Sequence, residues 1–160
     1  MPSANYFPLT VLSFKEKNVT VAIAMLKPVV SLAIWTMLIW LNRIVNIIQE
    51  EQNNSSTLYF AVFFVISGLI LAIVGYLWSE AKLSTEFLAS IIYIISFLGC
   101  SRWIYRTFIV LQQDYSAGFK TIHIILALIT VALSSWASIK ITKTMRAEKK
   151  LKVQTDSKQT

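Results

Sequence analysis

LYFAVFFVISGLILAIVGYLW, residues 58–78, runs for twenty-one positions without a charged side chain. A helix of that length covers about 31 Å at ~1.5 Å per residue, which is the thickness of a bilayer's hydrocarbon core. Tyr59 stands near one end and Tyr76 and Trp78 at the other, where amphipathic rings settle among headgroups. The stretch reads as a membrane-spanning helix, and the rest of the chain is read outward from it.

Downstream, the polar octet SEAKLSTE (residues 79–86) predicts a tight turn, so the next span is expected to run antiparallel beside the first. That next span is short of apolar length. Only fifteen uncharged residues, Phe87 to Ser101, precede Arg102 and Arg106. Fifteen residues reach about 22 Å, too little to cross, so the helix must carry at least Arg102 into the outer part of the bilayer. After QQDYSAGF (residues 112–119), where Gly118 is the expected turn residue, a second clear span covers 121–139 between Lys120 and Lys140. Upstream, apolar sequence from Val19 to Leu41 is interrupted by Lys27-Pro28. Proline suits a first helical position, so the span is expected to start at Pro28 and run to about Ile48; the alternative is a kinked helix starting near Val19. The polar stretch QEEQNNSST (residues 49–57) separates it from the 58–78 run.

Of the 160 residues, 56% are hydrophobic and 14% charged. A soluble domain carries roughly 25% charged residues, so the composition agrees with the spans. The expected fold is all-α: a polytopic integral membrane protein whose core is a bundle of four transmembrane helices near 28–48, 58–78, 86–109 and 121–141. Residues 1–27 are expected to form an N-terminal cytoplasmic or interfacial segment, 28–141 the membrane domain, and 142–160 a basic cytoplasmic tail with a disordered end. The first fourteen residues lack a basic n-region, so the first span is expected to act as an uncleaved insertion signal.

Orientation follows from basic residues. Lys15, Lys17, Lys27, Lys82 and seven residues of the tail fall on one side, eleven in all; Arg43, Arg102, Arg106 and Lys120 fall on the other. The positive-inside rule then places both termini in the cytoplasm. On the outer side, Asn53 and Asn54 each begin an N-x-S sequon.

No catalytic motif accompanies this architecture. There is no G-x-S-x-G, H-E-x-x-H, Walker A loop or dinucleotide fingerprint, so the protein is not expected to be an enzyme. Cys100 and His123 are the sole residues of their kinds, so neither a disulfide nor a zinc spacing exists and no metal or cofactor is expected. None of the eight acids lies at the middle of a span, where ion-coupled transporters place an ionisable group.

Polar residues gather at one outer level instead. Arg102 and Arg106, four apart, share a helical face, and Arg43 and His123 come to a similar height from the neighbouring spans. These four are the candidates for holding an anion or a lipid headgroup, since guanidinium grips phosphate or carboxylate with two bonds. Glu50 and Glu51 are candidate ion-pair partners for the arginines. Gly68, Ala72 and Gly75 lie on one face of the second span, and Thr130, Ser134 and Ser138 recur every four residues on the fourth; small faces of this kind let helices approach closely.

The tail segment 140–152 holds six basic residues against Glu148 alone, which suits attraction to anionic headgroups. It lacks interleaved aromatics, so nucleic acid is not an expected partner. The expectation is a non-enzymatic membrane protein that works through the bilayer, anionic lipid, and a membrane-protein partner or further copies of itself, as an accessory or assembly subunit. The alternative is one protomer of an oligomeric channel or small-solute transporter.

Overall fold

The computed structural model describes residues 9–49 and 55–157, with side chains from residue 26 onward except at 55, 56 and 155. Four helices hold all of these residues but 80–84, 113–116 and 157: α1 (Leu9–Gln49), α2 (Ser55–Ser79), α3 (Thr85–Gln112) and α4 (Ala117–Asp156). Each contains a stretch long and apolar enough to cross a membrane: Leu26–Gln49, Thr57–Ser79, Thr85–Gln112 and Ala117–Gln154. The expected cytoplasmic start at residues 1–8 and the Glu50, Glu51, Asn53 and Asn54 positions lie outside the described residues.

The two sharpest boundaries are chemical. At the end of α2, the Lys82 amide donates to the Leu77 carbonyl at 3.0 Å and the Ala81 amide to the Trp78 carbonyl at 2.9 Å. This pairing is a Schellman cap, and it forces Ala81 into the left-handed region at φ 56°. Ser84 then caps α3, its side chain accepting from the Phe87 amide at 3.2 Å, and Glu86 places a negative charge at the positive end of the helix.

Three sequence expectations need correction. α1 does not begin at Pro28; it runs unbroken through it from Leu9. Pro28 is almost wholly buried, so the amide hydrogen it lacks is missing at a protein-lined position. Gly118 is not a turn residue but lies in the first turn of α4, and residues 113–116 make the connection. The tail is not disordered from Val153 but helical to Asp156. No proline or glycine follows Gly118 to stop it. Its first turns are held to the bundle by buried Ile141, by Met145 against the core, and by the Thr85 hydroxyl donating to Glu148 Oε1 at 2.6 Å.

The helices do not pack equally. α1 pairs closely with α2 and α3 with α4, α1 also meets α4, and α2 and α3 touch least of these four pairs. Near the α2–α3 turn all four helices share one core, with Val29, Leu32 and Ala33 of α1 against Leu71, Val74, Leu88, Ala89, Ile92, Ala137 and Ile141. Towards the other end a separate core joins α1 and α2, through Trp40, Ile47, Ala61 and Phe64. The closeness of α1 and α2 rests on glycine. A Cβ on Gly68 would stand 2.7 Å from Met37 Cγ and 3.0 Å from the Ala33 carbonyl oxygen, and one on Gly75 would stand 3.0 Å from Val29 Cγ1. Ala72, one turn from Gly68, is partly buried against the shared core.

Candidate functional site

Because α2 leans on α1 and α3 on α4, the α2–α3 seam opens on the side away from their shared turn. A cleft of about 590 Å³ occupies it, lined by Tyr59, Phe60, Phe63 and Phe64 of α2 and by Leu98, Ser101, Arg102 and Tyr105 of α3. The α2 residues recur at spacings of three and four, so one helical face presents four rings. Tyr59, Phe60 and Tyr105 are largely exposed at the cleft's edge, while Phe64 is buried and stacks on Trp40 with ring centroids 4.6 Å apart.

Arg102 is the charged residue of this wall. Its Cζ lies 4.9 Å from the Phe60 ring centroid, a cation–π contact across the seam. Its Nε is buried and has no hydrogen-bond partner among the described residues. Arg106 follows Arg102 by four residues on α3, and so lies one turn along the same face.

Contacts between helices set the depth of this group. A Cβ on Gly99 would face Thr130 at 4.0 Å, and the Thr107 hydroxyl donates to the His123 carbonyl at 3.4 Å. Arg102 is therefore level with about residue 128 of α4, about 12 Å along the axis from Lys120 at ~1.5 Å per residue. Trp40 touches both Phe64 and Trp103, with the Trp103 ring centroid 6.2 Å away. Arg43 and Arg106 each follow one of these tryptophans by three residues, so they share a level about one turn nearer the 113–116 connection than Arg102.

Arg102 thus lines the cleft, with Arg43 and Arg106 about one turn away and outside its wall. His123 is elsewhere. It lies on the α3–α4 seam, its ring between Phe119 at 4.3 Å and Trp103 at 6.2 Å, with Nδ1 3.0 Å from the Phe119 carbonyl oxygen. That placement separates it from the cleft, which α4 does not line. Glu50 and Glu51 lie outside the described residues.

No protein-family model, curated protein or solved structure matches this chain. The functional reading therefore rests on geometry.

A second polar locus lies inside the bundle. The Trp35 indole donates to Thr130 Oγ1 at 3.0 Å, and Thr130 in turn donates to the Leu126 carbonyl at 2.8 Å. Beside them is an internal cavity of about 10 Å³, and the Ser134 hydroxyl on its wall is buried without a partner among the described residues. Among the described residues no group of three His, Cys, Asp or Glu side chains could hold a metal ion.

The aromatic wall escaped sequence reading. Tyr59, Phe60, Phe63 and Phe64 have a visible three-and-four spacing, but in a helix apolar all round that spacing does not say which neighbour the rings meet. Tyr59 read only as a ring at the membrane interface.

Proposed function

We propose that the protein is a non-enzymatic integral membrane protein that binds an anionic amphiphile sideways from the bilayer, its head on Arg102 and its chain along the aromatic wall. One observation carries the reading. Arg102 Nε is enclosed at the wall of an apolar cleft without a hydrogen-bond partner among the described residues. A charge below the headgroups needs a counter-ion or a route to water, and a lipid head supplies the first. Guanidinium matches phosphate or carboxylate oxygens with a planar fork, and the cleft's rings suit an acyl chain.

The four-span orientation with both termini cytoplasmic, which puts this cleft in the outer leaflet, belongs to the same proposal. So does action through a membrane-protein partner as an accessory or assembly subunit, for which a captured lipid makes part of the joint surface. The internal cavity is one water in size.

The test is lipid retention. The full chain in nanodiscs of phosphatidylcholine doped with phosphatidylglycerol should carry phosphatidylglycerol into native mass spectrometry, and the Arg102→Gln variant should lose it. Identical lipid profiles for the two proteins would refute the reading. Lys120→Gln, whose site lies about 12 Å from Arg102 at ~1.5 Å per residue, is the control for a general loss of charge.

A further inference from the structure

Among the described residues, the group around the cleft carries more positive charge than one singly charged head neutralises. Arg102 stands in the wall, Arg106 lies one turn further along α3, and the Trp40–Trp103 contact brings Arg43 of α1 to the level of Arg106. All three are only partly exposed. Like charges brought together where the dielectric is low repel one another, and an anion set among them reverses the sign of the interaction. A phosphodiester brings one negative charge, enough for Arg102 and too little for the cluster. A phosphate monoester brings close to two and three terminal oxygens, so a second guanidinium can share it.

Resting on the lipid reading above, we infer that the preferred occupant is an amphiphile whose head is a phosphate monoester, of the kind found in phosphatidic acid. Arg102 holds one edge of the phosphate from the cleft wall. Arg106, one turn further along the same helix, and Arg43, across on α1, hold the second charge from the side nearer the headgroups. The acyl chains leave through the open α2–α3 seam past Phe60 and Phe63, so the lipid need not leave the leaflet to bind. Free phosphate shares the head chemistry, but it lacks the chains that keep the head in the plane of the cleft.

The experiment is a competition in nanodiscs of phosphatidylcholine doped equally with phosphatidic acid and phosphatidylglycerol, read by native mass spectrometry of the full chain. The expected ratio of bound phosphatidic acid to phosphatidylglycerol is about tenfold, the factor that one added charge-assisted hydrogen bond supplies. Lowering the pH to 5 should bring the ratio towards one, because the second ionisation of a phosphate monoester lies at roughly pH 6. An Arg43→Gln, Arg106→Gln double variant that elutes as the wild type does should show the same fall at neutral pH. If that variant does not fold, the pH series on the wild-type chain carries the test by itself.

Equal retention of the two anionic lipids, both above phosphatidylcholine, would overturn this inference and leave the lipid reading standing. No preference for either over phosphatidylcholine would overturn both. Displacement of bound phosphatidic acid by inorganic phosphate in excess would show that the site takes the free anion, which overturns the assignment to an amphiphile.

Discussion

Replacing Gly68 by alanine should weaken the bundle although alanine is the better helix former. In a helix interior the exchange of glycine for alanine is worth about 0.5–1 kcal/mol in favour of the variant. Packing opposes it. The added Cβ would meet Met37 Cγ at 2.7 Å, the Ala33 carbonyl oxygen at 3.0 Å and the Met37 amide nitrogen at 3.3 Å. The Met37 side chain can swing aside at little cost. The Ala33 oxygen is backbone, so α1 and α2 must separate by a few tenths of an ångström along the seam that buries Leu32, Ala33 and Leu71. Overpacking of a filled core costs about 1–3 kcal/mol, so the net loss should be about 1 kcal/mol.

Gly68→Leu cannot be relieved by so small a shift and should cost about 3 kcal/mol or more. Gly118 supplies the internal reference. A Cβ there meets nothing within 4 Å, so Gly118→Ala should be neutral or stabilise by up to about 0.5 kcal/mol through helix propensity alone. Unfolding from mild detergent by stepwise addition of sodium dodecyl sulfate, followed by far-ultraviolet circular dichroism, compares the three. A Gly68→Ala protein at least as stable as the wild type would show that α1 and α2 do not approach through Gly68.

Two further outcomes concern the end of the bundle that holds the α2–α3 turn. Ala81→Gly should stabilise the protein by about 0.5 kcal/mol, since a left-handed alanine costs about 1 kcal/mol and glycine gives back part of that in unfolded-chain entropy; a lower melting point would contradict the Schellman geometry at this turn. Glu148→Ala should cost about 1 kcal/mol, because Thr85, which accepts the Trp78 indole hydrogen at 3.1 Å, loses the acceptor of its own proton. Hydrogen exchange should quicken in residues 140–156 of that variant and not in α1, and unchanged protection there would mean that the tail helix does not depend on this bond.

Much of the molecule was readable in advance because it depends on local chemistry. Helix number follows from run length, since a chain crossing hydrocarbon must pair its amides within itself. SEAKLSTE pointed to a tight turn, which Ala81 and Ser84 form. Pro28 misled for a local reason as well. Proline is a good first helical residue, and only its burial within the bundle explains why α1 passes through it. The tail misled in the opposite direction, because its charges look solvated in sequence while every fourth or third residue, Ile141, Met145 and Glu148, is tied to the bundle.

Length and hydropathy thus determined by themselves that the chain makes four long apolar helices, and roughly the bounds of α2 and α3, but neither the start of α1 nor the end of α4. They did not determine which faces meet. In a helix with one polar face that face marks the outside, but α2 is apolar all round, so a row such as Phe60, Phe63 and Phe64 suits either the interior or the outer surface. Tertiary structure decided that α2 closes on α1 through Gly68 and Gly75 and that α3 closes on α4. It decided that the seam between α2 and α3 stays open, with Arg102 on its wall and His123 on the far side of α3. Those choices come from the fit of small residues against backbone and of large rings against one another, a property of pairs of surfaces that no single helix carries.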